Sequence, residues 1–360
     1  MKSIEEILQH HLDPYLQKTW GEVKAIKQII CEKNTCTIHI TLGYPVAGLE
    51  EMLKALQEKL YAANQIAQID IQLTAHIHAH VTQPQVQPIP SVKNIIAVGS
   101  GKGGVGKSTT TVNLALALQA QGAKVGILDA DIHGPNQPHM LGSNLRLQPE
   151  NGQQLSPVML HGLQTMSMAY LLDPATPMIW RGPMVSSALQ QLARDTAWQD
   201  LDYLLIDLPP GTGDIQLTLS QKIPVSAALI VTTPQDVALL DARKGFEMFR
   251  KVQVPVLGLI ENMGTHVCSA CGHEEAIFGE GGAARLAETV EMELLGTLPL
   301  AKSIREQSDR GVPIVLAAPQ SDIAHTYHQI ARRVAAKLSL QPRSYASTFP
   351  KIVLEEKTAR

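Results

Sequence analysis

At 360 residues, with 44% hydrophobic and 18% charged residues, the chain has room for one large and one small domain, each with its own core. A net charge of −3 disfavours nucleic acid as the main partner, because neutralising phosphates needs a basic surface. There is no apolar run of membrane-spanning length, and four cysteines are too few for a disulfide framework, so neither a membrane protein nor a stapled secreted fold is expected.

Met1–Glu6 is acidic and polar rather than signal-like, which sets a cytoplasmic expectation with the cysteines as thiols or metal ligands. Over residues 1–80, Ile4, Ile7, Leu8, His11 and Leu12 have helical spacing, and Thr35–Leu42 alternates as a strand. Leu49–Leu60 returns to a helical pattern and Ala67–Ile77 reads as a second strand, so a small α+β domain is predicted. Cys31 and Cys36 flank a turn and read as buried or incidental thiols, with a second cluster site as the alternative. His76, His78 and His80 alternate on one strand face, read as a solvated edge before a metal site. Residues 81–91 are proline-rich and read as an extended linker without packed structure.

Residues 92–340 alternate apolar strands with helices. Asn94–Val98 leads into a glycine loop and a helix from Lys107 to about Ala120, ended by Gly122. Lys124–Leu128 follows and runs into Asp129-Ala130-Asp131. Further strands are Tyr203–Ile206, Ala227–Val231 and Val256–Ile260, with helices at Val237–Lys251 and Ala283–Glu291. This predicts an α/β fold, a doubly wound and mostly parallel sheet covered on both faces. Met159–Met168 is too broken by glycine to form a methionine-lined helical groove. Residues 341–360 form a tail whose mixed charge is a poor match for a membrane anchor.

The strand–loop–helix at Gly101-Lys102-Gly103-Gly104-Val105-Gly106-Lys107-Ser108-Thr109 satisfies the P-loop pattern. Its glycines let backbone N–H groups face the phosphates of ATP, and the helix start adds its positive end. Lys107 supplies a point charge and Ser108 a hydroxyl for Mg2+. Asp207 ends a buried strand, where a carboxylate can hold Mg2+ through water, and the turn Leu208–Asp214 can respond to the γ-phosphate. Lys102 is a second lysine in the loop, costly there unless it serves another nucleotide or the transition state.

Cys268 and Cys271 are spaced to converge on one metal, with Gly272 and His273 behind. Two thiolates are half of what tetrahedral zinc or an iron–sulfur cluster requires. A zinc site completed by His273 and a redox pair remain alternatives.

The lysine-bearing loop resembles the signature of deviant Walker A ATPases. The resemblance implies that Lys102 reaches across a face-to-face homodimer like a finger supplied in trans. It also gives Asp131 the orientation of attacking water, Asp129 a place near Mg2+, and Asn262 the adenine edge. The ordered set is similar to the Mrp/ApbC family of ATP-dependent iron–sulfur carriers. Beyond the loop it comprises Asp129-x-Asp131-Ile132-His133-Gly134-Pro135, Trp180-Arg181-Gly182-Pro183-Met184, Asp207–Asp214, Glu261-Asn262-Met263, Cys268-x-x-Cys271-Gly272-His273 and Phe278-Gly279-x-Gly281-Gly282. Residues 1–80 resemble the MIP18-like module of many bacterial members, without its cysteine, since Gly43-Tyr44-Pro45-Val46 occupies that region. Leu298–Lys302 also lacks the Asp that many relatives carry. The implied protein is a slow ATPase that holds a cluster, of the 4Fe–4S type, between two subunits. It takes clusters from scaffold proteins and delivers them to apo-proteins, with no nucleic acid or membrane partner. The rival is a positioning, partition or protein-targeting ATPase with structural zinc at the cysteine pair.

Overall fold

The computed structural model describes residues 4–32, 34–64, 66–84, 86–132, 134–148, 154–171, 182–268 and 270–344; of Gly182 and Pro183 only the backbone is described. Expectations that rest on His133, Trp180, Arg181, Ser269 and the tail beyond 344 lie outside these residues.

The N-terminal unit contains α1 (Ile4–Gln9), β1 (Ile26–Glu32), β2 (Thr35–Leu42), α2 (Glu50–Ala63) and β3 (Gln68–Ala75). The sheet runs β1-β2-β3, antiparallel then parallel. Strict alternation along β2 turns Cys36, Ile38, Ile40 and Leu42 inward, where Leu56 and Leu60 of α2 meet them. β1 escapes sequence reading because its residues are mostly exposed or half-buried and carry no clean alternation. Its hairpin with β2 puts Cys31 opposite Cys36, with Cα atoms 4.2 Å apart, and the two form a disulfide rather than the free thiols expected. The pairing follows from the hairpin register, which spacing alone does not reveal.

The second unit contains β4 (Val92–Gly99), α3 (Lys107–Ala120), β5 (Val125–Asp129), α4 (Gln137–Met140), β6 (Val158–Leu160) and β7 (Leu163–Ser167). It continues through α5 (Gly182–Asp195), β8 (Leu201–Asp207), α6 (Asp214–Lys222), β9 (Ala227–Thr232), α7 (Asp236–Lys251) and β10 (Val256–Glu261). It ends with β11 (His266–Val267), β12 (Glu274–Glu275), α8 (Gly282–Thr289), β13 (Leu294–Thr297), α9 (Lys302–Asp309), α10 (Ile314–Ala317) and α11 (Asp322–Ser339). The large sheet has the order β13-β10-β9-β4-β8-β5-β7-β6, parallel throughout except for the β6–β7 hairpin at one edge. That hairpin is what the stretch Met159–Met168 forms; Gly162, at φ 82°, closes its turn.

Successive residues of the central strands enter two different cores. Ile96, Val98, Ile127, Leu205 and Leu229 face one, while Ala97, Leu128, Leu204, Ile206 and Ile230 face the other. Such strands must be apolar at every position, which explains their continuous Val/Ile/Leu runs. The first core continues without a break into the N-terminal unit. Arg332 of α11 holds that junction: 6% exposed, it donates to the carbonyls of Ala47 and Gly48 and lies over the Tyr15 ring.

The described residues of 81–91 do not run free, contrary to the expectation of an unpacked linker. The Gln83 amide donates to Ser220 O in the last turn of α6 and accepts from Val225 N just past it, and Ile89 is buried. The histidine run is a solvated edge only in part, since His76 is exposed and His78 half-buried while His80 is buried. β3 ends before it, the rings of His76 and His78 stack at 4.3 Å, and buried His80 places Nδ1 2.8 Å from Asn94 Oδ1. Among the described residues no group of three His, Cys, Asp or Glu is gathered to hold a metal.

Candidate functional site

Strands β4, β5, β8 and β10 point the same way, so the segments after them gather at one edge of the sheet. Gly101–Gly106 bridges β4 and α3. A Cβ on Gly101 would lie 2.1 Å from the carbonyl carbon of Asp241 in α7, so only glycine lets the loop pass. Gly106, at φ 82°, turns the chain into α3, whose first N–H groups have no side-chain cap. Uncapped donors at a helix start favour an anion.

Lys107 begins α3 at 6% exposure. Its Nζ lies 2.6 Å from Asp207 Oδ1, 3.3 Å from Ser108 Oγ and 3.9 Å from Asp131 Oδ2. Asp207 is fully buried, accepting also from Thr111 Oγ1 at 3.3 Å and Gln137 Nε2 at 2.9 Å. Asp129 Oδ2 accepts from Ser167 Oγ at 3.1 Å and from Gln137 N at 3.2 Å. Burial, and next the charge of Asp207, push the Asp129 carboxyl well above the usual carboxylate range. Two carboxylates confined beside one lysine form a site that gains from a further cation, and the Ser108 hydroxyl faces the same corner. The residue set therefore fits Mg2+, which takes hydroxyl, carboxylate and water oxygens.

The turn after β8 leans on the loop, with Gly211 N donating to Ser100 O at 3.1 Å. Lys102 is half-buried; its carbonyl accepts from Ser100 Oγ at 3.0 Å, and no carboxylate among the described residues lies within ion-pair distance of its ammonium. On α7, Val237 and Leu240 are exposed one helical turn apart, next to the Asp241 that the loop packs against. Buried Asn262 donates Nδ2 to Val105 O at 2.9 Å, which ties β10 to the loop. Beside it lies a cavity of about 340 Å³ lined by Gly106, Thr109, Asn136, Met140, Asn262 and Leu300 among others.

Cys268 and Cys271 sit at the tip of the β11–β12 hairpin, which leaves the same sheet edge just after Asn262. Cys268 N donates to His273 O at 2.9 Å, Gly272 N donates to Cys268 O at 2.8 Å, and Gly272 takes φ 73° to close the knuckle. Cys268 is half-buried, Cys271 is exposed, and both are free thiols. Backbone N–H groups of Ala270 and then Cys271 lower the pKa of the Cys268 thiol, favouring the thiolate that binds metal. His266 Nδ1–H donates to Leu300 O at 2.9 Å, anchoring the hairpin to the body.

The structure thus brings together Lys107, Ser108, Asp129, Asp131, Asp207 and Asn262 around the loop, and sets the cysteine pair apart at a hairpin tip. Sequence reasoning missed Gln137, Ser167 and Thr111. Only Gln137 carries a signal, as a polar residue ahead of proline just past the acidic strand end; the other two lie in ordinary helix and strand positions.

A phosphate loop opening a helix at the edge of a parallel sheet, with acidic strand ends beside it, defines a P-loop nucleoside-triphosphatase. The family described as "NUBPL iron-transfer P-loop NTPase" (ParA) matches residues 91–335, and the chain belongs to it. It is 51% identical over 333 residues to the "Iron-sulfur cluster carrier protein" of Escherichia coli, covering 91% of this chain and 89% of that one. The mouse "Iron-sulfur cluster transfer protein NUBPL" is 51% identical over 263 residues, covering 72% of this chain and 82% of that one. Among solved structures, a nucleotide-binding protein from Archaeoglobus fulgidus in complex with ADP is 37% identical with TM-score 0.56, covering 65% of this chain and 91% of that one. The Pyrococcus furiosus cell division ATPase MinD, 23% identical with TM-score 0.52 and covering 67% of this chain and 98% of that one, shares the fold.

Proposed function

We propose that the chain is an ATP-hydrolysing carrier that holds an iron–sulfur cluster between two copies of itself and passes it to apo-proteins. The observation that carries this reading is a pair of accessible thiols on a hairpin rising from the same sheet edge as the phosphate loop, with no third ligand gathered beside them among the described residues. Two copies related by a two-fold axis would supply four thiolates, the number that a 4Fe–4S cluster requires. The names of the relatives, carrier and transfer proteins for iron–sulfur clusters, support the same cargo.

In this reading Lys107 and the loop amides of Gly101–Thr109 hold the phosphates, and Ser108, Asp129 and Asp207 hold Mg2+. When bound, that ion screens the charge of the phosphates. Asp131 orients the attacking water, Asn262 meets the base through its remaining amide oxygen, and Lys102 completes the partner's site. Exposed Val237 and Leu240, beside the loop, would be covered by the second copy. The turn at Gly211 would carry the nucleotide's state outward, so that hydrolysis and cluster hand-over are coupled. The compartment in this reading is the cytoplasm, where Cys268 and Cys271 can be the thiolates that iron requires; the Cys31–Cys36 disulfide is a pairing uncommon there.

Anaerobic reconstitution with iron and sulfide tests the proposal. The wild-type chain should gain visible cluster absorption at one cluster per dimer and lose it to an apo-protein acceptor. A chain that gains none, or a Cys268→Ala/Cys271→Ala variant that gains as much as wild type, would refute it. Zinc bound tightly by a monomer would favour the rival clip instead.

A further inference from the structure

We infer that Gln137 is a positioning residue of the cation site, its side-chain oxygen placed to accept a hydrogen bond from a water in the hydration shell of the magnesium ion. This rests on the nucleotide-binding reading above and adds to it a residue whose side chain neither phosphate nor metal need touch.

Gln137 opens α4 and is 1% exposed. Its Nε2 donates to Ser108 O at 3.0 Å and to Asp207 Oδ2 at 2.9 Å. Both partners are oxygens that can only accept, so the amide cannot be turned round, and both of its protons are spent. Its backbone N–H goes to Asp129 Oδ2 at 3.2 Å. One residue therefore grips the backbone of the loop serine and both buried carboxylates.

What remains is Oε1, which is buried and has no partner. Buried acceptors are rarely left without a donor. No donor of the described residues reaches Oε1: Lys107 Nζ serves Asp207 and Ser108 Oγ, Thr111 Oγ1 serves Lys107 O and Asp207, Ser167 Oγ serves Asp129, and the Ser108 hydroxyl, which accepts from Lys107, is not within bonding distance. The carboxyl oxygens nearby are already engaged, Asp207 with Lys107, Thr111 and Gln137 Nε2, and Asp129 with Ser167 and the backbone N–H groups of Asp131 and Gln137. The donor must come from outside the chain, and a water held by a cation is the fitting one. Mg2+ keeps several of its waters in protein sites, and a cation polarises their O–H bonds toward an acceptor. A neutral amide oxygen supplies that acceptor without adding a further negative charge beside Asp129, Asp131 and Asp207.

The test titrates Mg2+ against the full-length chain and a fluorescent ADP analogue, reading the half-saturating Mg2+ from anisotropy. In the wild type Mg2+ should tighten nucleotide binding. Gln137→Met removes the oxygen and should raise half-saturating Mg2+ about tenfold or more, the usual cost of losing an outer-sphere partner. Gln137→Glu keeps an acceptor oxygen while losing the amide donors and adds a charge that attracts the cation, so its half-saturation should lie at or below wild type, well below that of the methionine variant. Gln137→Asn withdraws the oxygen by one methylene and should shift in the methionine direction, which covers poor folding of Gln137→Met. Equal shifts in the methionine and glutamate variants would mean that Gln137 only braces the carboxylates, and would overturn the inference. So would unshifted methionine and asparagine variants, or a wild type that binds nucleotide without regard to Mg2+. A wild type that binds no nucleotide would bring down the nucleotide reading as well.

Discussion

The phosphate loop and the thiol hairpin leave the same edge of the same sheet, yet they are built in opposite ways. Lys107 is buried and within 4 Å of three groups of its own chain, and Asp207 beside it accepts from three donors. Every one of these groups is positioned by a strand end or helix start, so the loop site is organised within a single chain. The cysteines have only a two-residue strand on either side and a turn closed by Gly272, just after Cys271. Their own chain gives them backbone donors and no third ligand among the described residues. A buried site of this kind can bind before anything else arrives, whereas the exposed one needs a partner surface. In the proposed carrier, nucleotide control of the cargo would depend on that division.

Five variants would break or sharpen the contrast. Lys102→Ala should have the largest effect, lowering hydrolysis about 10³-fold if the lysine acts as a finger in trans, read by phosphate release. Mixing it with Asp131→Ala should restore part of the rate, because one site of the mixed dimer then has both groups; no recovery would argue that Lys102 acts within its own subunit. Lys107→Ala should weaken nucleotide binding by roughly 3 kcal/mol, about a hundredfold by calorimetry, and leave Asp207 buried without its cation. Asn262→Ala deletes the bond to Val105 O and should cost about 1 kcal/mol in nucleotide affinity, roughly fivefold. Cys268→Ser/Cys271→Ser should move the unfolding free energy least, within about 0.5 kcal/mol as for exposed positions, while abolishing cluster uptake. A large loss of stability in that last variant would mean that the hairpin is a structural clip and the contrast is false.

The fold was legible where burial is uniform. Ala227–Val231 and Val256–Ile260 read as strands because both faces of each are covered, and they are observed as Ala227–Thr232 and Val256–Glu261. Lys107–Ala120 read as a helix with its start and end in place, since the P-loop and Gly122 punctuate it. β1 was not legible, because its mostly exposed residues leave no apolar pattern. Residues 81–91 looked like a linker by composition, and only the contacts with Ser220 O and Val225 N, distant in the chain, explain why Gln83 is buried there. In the site, Lys107, Ser108 and Asp207 could be named from a motif, whereas Gln137 could not, because its partners lie up to 70 residues away.

By itself the sequence determined a parallel sheet carrying a phosphate loop and a thiol pair, because a P-loop and continuous apolar strands are local patterns set by backbone geometry and burial. Tertiary structure alone decided which groups those patterns meet. The parallel strands carry Asp129, Asp207 and Asn262 to one edge, the β1–β2 register joins Cys31 to Cys36, and α4 swings Gln137 onto the loop. Contacts between residues far apart in the chain leave no periodicity along it, so only the folded chain reveals them.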